Sequence, residues 1–155
     1  MSGAKPQQIE PFDAQWAGAQ YAFVHMLTEH LVDCRRAFRG DLDAMLVLAI
    51  LGQNHLKALL AGETDARTPG TPFGITASRI ADVTGMPRQT VRRKLQDLAK
   101  RGWLIQNGDA AWMLSGPPDD TSAGQDLAEL SHRGLGRAMR LRDDLNRILG
   151  PAKGA

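Results

Sequence analysis

The chain has 155 residues, of which 43% are hydrophobic, so it can bury the core of one compact domain with appended helices. Its formal net charge is only +2, so any affinity for a polyanion depends on where the positive charge is concentrated. The one cysteine, Cys34, excludes an intrachain disulfide framework and a multi-cysteine zinc site.

Targeting and membrane signals are weak throughout the sequence. The start, MSGAKPQQIEPFD, has no basic region followed by an apolar run, so no signal peptide is predicted. The longest apolar run, residues 44–51, is far shorter than the roughly 18 residues of a membrane span. We therefore expect a cytoplasmic protein with no membrane contact, and we expect residues 1–10 to be a flexible tail.

Two helices are predicted in residues 11–60. Large apolar residues of the first recur at spacings of three, four or seven, the period of one helical face: Trp16, Phe23, Leu27, Leu31, Cys34 and Phe38. Arg-Gly-Asp at 39–41 then breaks the pattern, and Asp41 is a good N-cap for a second helix that extends to about Leu60. This second helix is apolar nearly all round as far as Leu51, which is typical of a buried central helix.

Residues 61–75 are rich in Gly, Pro, Thr and Asp, which predicts a loop. Thr76 can cap the short helix that follows. Gly85 suits the left-handed backbone that often ends a helix, and Pro87 suits the first turn of another. Two helices joined by a tight turn with a glycine are typical of a helix-turn-helix.

The second helix of this pair, from about Pro87 to Arg101, is strongly basic. Val91, Leu95 and Leu98 form its apolar stripe. Residues 88–101 contain six basic residues and one acid, a net charge of +5 in a chain whose total is +2. The rest of the chain is therefore net acidic, and this helix is expected to present a local positive field.

A β-hairpin is predicted directly after the basic helix. The sequence WLIQNGDAAWML at 103–114 places Asn107-Gly108 between two apolar runs, which is a strong hairpin signal. Residues 103–105 and 111–114 are the predicted strands. A helix-turn-helix followed by a hairpin is a winged helix, and we assign it to residues 76–115.

A last helix is predicted over residues 125–150, after a linker at 116–124 that contains Gly116-Pro117-Pro118. Its apolar stripe includes Leu135, Ala138 and Leu141, and Gly134 and Gly136 weaken the middle of the helix. We expect the first and last helices to form a dimer interface at these stripes, with the two glycines and Ala138 included.

The segment 75–114 resembles the winged helix-turn-helix of bacterial transcriptional regulators. It matches the pattern I-A-x-x-T-G-x-x-x-x-T-V-x-R-x-L-x-x-L-x-x-x-G from Ile80 to Gly102. The order of the flanking helices is similar to the MarR-like branch, where N- and C-terminal helices interlock into a dimer. The resemblance implies a mainly α fold with a small β-hairpin wing, and a homodimer that binds a roughly palindromic site in duplex DNA.

The resemblance also implies which residues contact DNA. Helix 87–101 would be the recognition helix in the major groove, where arginine matches guanine and glutamine matches adenine. The candidate base readers are Arg88, Gln89, Arg92 and Arg93. The candidate phosphate ligands are Ser78 and Thr90, and the other predicted DNA contacts are Lys94 and the wing-tip residue Asn107. One departure is Pro87, because related proteins often have a capping Ser or Thr at that position.

Several alternatives stay open at this point. The same fold could serve as a protein-interaction adaptor without sequence-specific DNA readout. Cys34 could be a packed thiol or a peroxide sensor, and four aromatic residues could line a small-molecule effector pocket or simply form core and interface: Trp16, Tyr21, Phe23 and Phe38. No phosphate loop, nucleophile elbow or paired-carboxylate motif is found, so we expect no enzyme activity and no cofactor. His30 and Cys34 share a helix face but His25 does not, and zinc requires three or four ligands, so we expect no metal site.

Overall fold

The computed structural model describes residues 13–150, and the predicted tail at residues 1–10 lies outside them. The described residues form six helices and one two-stranded hairpin. In chain order these are α1 (Ala14–Ala37), α2 (Leu42–Leu60), α3 (Ala77–Thr84), α4 (Arg88–Lys100), β1 (Leu104–Gln106), β2 (Trp112–Leu114), α5 (Ser122–Asp126) and α6 (Ala128–Leu149). The predicted fold class, mainly α with a small β-hairpin wing, is confirmed.

The chain divides into two compact units. One contains the chain up to Cys34 together with the chain from Glu129, and the other contains residues 35–128. Helix α2 therefore belongs with the winged helix, whereas the sequence pattern had grouped it with α1 in a common N-terminal segment. None of the helices in residues 13–150 has the length and hydropathy needed to cross a bilayer.

The core of the second unit is built where α2, α3 and α4 pack on one another. Asp41 caps α2 as predicted, because its carboxylate accepts a hydrogen bond of 2.9 Å from the Ala44 N–H. The side chains that α2, α3 and α4 bury completely are aliphatic: Val47, Leu51, Ile80, Val91, Leu95 and Leu98. Contrary to the prediction, helix α2 is not enclosed on all sides as far as Leu51, since Leu42 and Leu46 are each 39% exposed.

The 61–75 segment is irregular, as predicted, but it is anchored to α2 and the hairpin. The Phe73 ring is buried together with Ala58 of α2 and Met113 of β2. The Asn54 side chain donates hydrogen bonds to the carbonyls of Pro72 and Gly74 at 3.0 and 3.3 Å. This anchoring holds the entrance to α3 in a fixed position.

Strands β1 and β2 are antiparallel, with Leu104 opposite Leu114 and Gln106 opposite Trp112. Ile75 adds a single-residue bridge on the other side of Trp112, through N–H···O bonds of 2.9 and 2.8 Å. A lone bridging residue has no periodicity, so the sequence pattern did not reveal it. The bridge connects the wing directly to the start of the helix-turn-helix.

The first unit pairs α1 with α6 through an ionic cluster and a close helix contact. Arg137 of α6 binds Asp33 at 2.7 Å and Glu29 at 3.2 Å on α1. An ideal Cβ on Gly134 would lie 2.7 Å from the His30 ring, so a glycine is needed where the helices approach. Gly134 therefore serves contact within the chain, which corrects its predicted place in a dimer interface.

The predicted last helix is divided in two. Ser122–Asp126 forms the short helix α5, capped by the Thr121 side chain, which accepts from the Gly124 N–H at 3.1 Å. Part of the predicted linker is therefore helical. Leu127 then interrupts the helix before α6 begins at Ala128.

Candidate nucleic-acid interface

The turn between α3 and α4 is fixed by local hydrogen bonds. The Thr76 side chain caps α3, and Gly85 ends it with a left-handed φ of 74°. The Thr84 hydroxyl donates to the Ile80 carbonyl at 2.7 Å and accepts from the Met86 N–H at 3.2 Å. The helix-turn-helix geometry expected from Thr76, Gly85 and Pro87 is thus present.

Helix α4 has one fully buried face and one exposed basic face. Val91, Leu95 and Leu98 are at most 1% exposed, so the helix cannot rotate about its axis without opening the core. Four predicted base readers lie on the exposed side: Arg88, Gln89, Arg92 and Arg93. The packing therefore presents these side chains to the solvent in one fixed register.

Lys94 forms an ion pair within the protein. Its ammonium group lies 2.7 Å from Asp41 Oδ2, and its side chain is only 15% exposed. Burial alone would raise the pKa of Asp41, but the hydrogen bonds from Lys94 and from the Ala44 N–H outweigh it and hold that pKa below its usual value. In this structure Lys94 joins α4 to the start of α2, and its assignment to the DNA-contacting set stays a prediction.

Arg101 also has a packing role. Its guanidinium carbon lies 3.7 Å from the centre of the Trp103 ring, and its Nη2 donates to the Ala37 carbonyl at 3.1 Å. Burial, and then the nearby charge of Arg39, lowers the pKa of Arg101. Not all of the positive charge counted over residues 88–101 therefore belongs to the exposed face.

The first turn of α4 has no side-chain cap. Pro87 occupies the N-cap position and makes no capping hydrogen bond, as its lack of a polar side chain requires. Ser78 and Thr90, the two candidate phosphate ligands, are both half-buried. The backbone N–H groups at the start of α4 thus lie in the partly positive environment of a helix N-terminus.

The wing tip is tied down instead of extending freely. Asp109 accepts hydrogen bonds from the Gly70 N–H at 2.9 Å and from the Ala111 N–H at 3.3 Å. These bonds hold the pKa of Asp109 below its usual value. Asn107 is half-buried and its Nδ2 atom is enclosed, so the predicted wing-tip contact from its side chain is poorly presented.

The four aromatic residues predicted to line an effector pocket are divided between the two compact units. Phe38 is buried and packs edge-on against Trp103 at 5.8 Å, in the second unit. Tyr21, in the first unit, is 72% exposed and stacks on the His25 ring. Phe23 is 45% exposed and Trp16 is half-buried. An effector pocket lined by all four rings stays a prediction.

A cleft of about 780 Å³ lies elsewhere, in the second unit. It is lined by the 64–67 segment, the hairpin and the Gly116-Pro117-Pro118 stretch. His55 helps to hold that stretch in place, because its Nε2 lies 2.6 Å from the Pro118 carbonyl oxygen. The proline stretch looked like a plain linker in the sequence, so nothing in the pattern indicated this cleft.

Cys34 is a packed thiol in this structure. It is 2% exposed, and burial followed by the charge of Asp33 raises its pKa. A reactive sensor thiol requires access and a lowered pKa. Cys34 lies 3.5 Å from His30 Nε2, but residues 13–150 contain no group of three or more metal-binding side chains.

Comparison with known proteins supports the identity of the second unit's fold. Residues 66–108 match the model of the IclR helix-turn-helix domain, which covers less than a third of the chain. No curated protein and no solved structure gave a match. The matched region contains α3, α4 and β1, so the chain carries the DNA-binding domain of a helix-turn-helix transcription regulator. The match does not single out the MarR-like branch.

Proposed function

We propose that the protein is a sequence-specific regulator that binds duplex DNA as a homodimer, with α4 in the major groove. The observation that carries this proposal is the two-sided character of α4. Its buried stripe fixes the helix, while Arg88, Gln89, Arg92 and Arg93 project from the other side. A rigid helix with exposed arginine and glutamine is suited to bidentate contacts with base edges.

Phosphate contacts would orient α4 in the groove. The uncapped first turn of α4 offers backbone N–H groups to a phosphate, and Thr90 lies in that turn. Ser78 of α3 remains a second phosphate ligand in this proposal. With Asn107 enclosed and Asp109 acidic, we expect the wing to contribute less affinity than α4.

The homodimer proposal rests on the apolar surface that the first unit leaves open. On α1, Phe23, Leu27 and Leu31 follow at spacings of four and are between 36% and 45% exposed. On α6, Leu135 is 65% exposed and Met139 is 48% exposed. Adjacent apolar side chains in solvent favour association. The MarR-like arrangement, with interlocked terminal helices, is the form that we propose for it.

A two-fold dimer predicts a roughly palindromic operator whose half-sites are separated by about 34 Å, one turn of the double helix. The proposed location is the cytoplasm, in contact with the nucleoid. A small-molecule effector that releases the DNA is a further part of the proposal. The 780 Å³ cleft of the second unit is one place to look for its site, in addition to the predicted aromatic pocket.

The test is a selection of bound fragments from random duplex DNA by the purified full-length protein. We expect enrichment of an inverted repeat that binds far more tightly than a scrambled duplex at physiological salt. A protein-interaction adaptor with the same fold would bind DNA weakly, lose it as salt increases and enrich no motif. That second outcome would overturn the proposal.

A further inference from the structure

A second group of arginines lies at the end of α1, outside the helix-turn-helix. Arg35, Arg36 and Arg39 are all exposed, and they fall in the sequence RRAFRGD. We refer to residues 35–40 as the 35–40 turn. It belongs to the same compact unit as α4.

The backbone of the 35–40 turn is closed by a Schellman motif. The Gly40 N–H donates to the Arg35 carbonyl at 2.8 Å, and the Arg39 N–H donates to the Arg36 carbonyl at 3.3 Å. This places Arg39 at the left-handed position, with a φ of 54°, where glycine is usual. An arginine is strained at this backbone angle, which glycine adopts freely, so a role for the arginine side chain would explain why it stands there.

Contacts place the 35–40 turn beside α4. Arg101, at the C-terminal end of α4, donates a hydrogen bond to the Ala37 carbonyl at 3.1 Å. Arg39 is near enough to Arg101 for its charge to help lower the pKa of that residue. On the other side of the turn, the charge of Arg93 helps to lower the pKa of Asp41. The 35–40 turn therefore lies against the C-terminal end of α4, and Arg93 of α4 lies near Asp41, directly after the turn.

The nearest carboxylates are already engaged. Asp41 binds Lys94 at 2.7 Å and caps α2, so its charge is compensated. Asp126 accepts a hydrogen bond of 2.8 Å from the Trp103 indole N–H. Asp43 and Asp97 are the exposed acids on α2 and α4. Against these two, the exposed cations Arg35, Arg39, Arg93 and Lys100 leave a positive excess.

We propose that the 35–40 turn is a phosphate-binding element that extends the DNA-binding surface of α4 onto the backbone beside the groove. This inference rests on the proposed function, because it requires duplex DNA to be the partner. Arg39 is its principal contact and Arg35 its second. Such contacts add affinity without sequence preference, since phosphates are the same at every base pair.

Arg39→Gly is the variant that tests this inference. It removes the cation and relieves the left-handed strain, so the fold should be at least as stable in thermal unfolding. The probe is a short random-sequence duplex, titrated at several salt concentrations. We expect affinity to fall about five- to tenfold near 0.1 M salt, and the salt slope to fall by about one.

The matched control is Lys57→Gln. Lys57 is an exposed cation in the last turn of α2, about 24 Å along the helix from its capped end. Its substitution removes one positive charge, as Arg39→Gly does, but far from the 35–40 turn. We expect its affinity and salt slope to stay at the parent values. An unchanged Arg39→Gly, or an equal loss in both variants, overturns the phosphate contact while leaving the proposed function intact. A parent protein that binds no duplex even at low salt overturns both.

Discussion

Arg93 and Lys94 are adjacent in the sequence, yet the structure gives their charges opposite surroundings. Arg93 is exposed beside the other basic side chains of α4, whereas Lys94 turns inward to Asp41. A count of basic residues cannot separate these roles, because both fit a helix with one apolar stripe. The direction of the side chain and the position of α2 decide which charge is available to a ligand.

The Asp41–Lys94 pair predicts a particular acid dependence of stability. Because the folded state holds the pKa of Asp41 below its unfolded value of about 3.9, the pair stabilises the fold above about pH 4 and loses this contribution as the pH falls further. Asp41→Asn keeps a capping oxygen but removes the charge. We expect it to lower the free energy of unfolding by about 1 kcal/mol at pH 7. We also expect a weaker decrease of that free energy below pH 4, which we call the acid limb.

Urea unfolding of the parent and of Asp41→Asn between pH 3 and 7 measures this dependence. Lys94→Met provides the matched variant, because it removes the same ion pair from the other partner. Its acid limb should flatten to a similar extent. An acid limb as steep in both variants as in the parent would show that the pair is not what stabilises this junction.

The wing turn predicts an unusual pair of substitutions. Asn107-Gly108 was the sequence signal for this hairpin, and the residue with positive φ in the turn is Ala110, at 65°. The Asn107 N–H donates to the Ala111 carbonyl and the Ala110 N–H to the Asn107 carbonyl, so three residues span the turn. We expect Ala110→Gly to raise the free energy of unfolding by up to about 1 kcal/mol.

Gly108→Ala is the comparison for that variant. An added Cβ on Gly108 has no atom within 4 Å, so its effect should stay within about 0.5 kcal/mol. Chemical denaturation of both variants under the same conditions gives the difference. A large loss of stability from Gly108→Ala, with no gain from Ala110→Gly, would place the left-handed residue at Gly108 instead.

At the scale of whole elements, the sequence pattern located the helix-turn-helix well. Thr76 and Gly85 are local signals, and Val91, Leu95 and Leu98 report the buried face of α4 directly. The pattern failed where the determining contact was distant in the chain. Ile75 joins the sheet through Trp112, and Gly134 matters because of His30, more than one hundred residues before it. No local periodicity contains such information.

The two glycines of α6 should respond in opposite directions to alanine. Gly134→Ala should destabilise the protein by about 1–3 kcal/mol, because the new Cβ would clash with the His30 ring. Gly136→Ala should stabilise it by about 0.5–1 kcal/mol, since no atom lies within 4 Å and alanine favours helix. Thermal unfolding of both variants tests this. Equal shifts of the same sign would contradict the close α1–α6 contact.

At the scale of the whole molecule, the proposed dimer predicts that a charge at exposed Leu135 disrupts dimerisation and that a charge at exposed Leu60 does not. Leu135→Glu places a charge on the open apolar surface of α6, so we expect sedimentation to show a monomer where the parent is a dimer. Binding to an inverted repeat should weaken toward that of a half-site. Leu60→Glu is the matched control, because Leu60 is 90% exposed on α2 and lies outside the proposed interface.

The dimer proposal is tested first by the sedimentation of the parent protein. A parent that sediments as a monomer at micromolar concentration would contradict the dimer. So would a Leu135→Glu variant that associates as strongly as Leu60→Glu. In either case α4 would still be a candidate DNA reader, but on a single half-site instead of a palindrome.

The central claim, that the exposed face of α4 reads base sequence, is tested most directly by one ratio. This is the affinity for a duplex enriched by selection divided by the affinity for its scrambled counterpart, measured at physiological salt. We expect a large ratio for the parent, and a loss of about 1–3 kcal/mol of discrimination for each of Arg92→Ala and Arg93→Ala. A ratio near one for the parent, or an undiminished ratio in both variants, would contradict sequence readout by this helix.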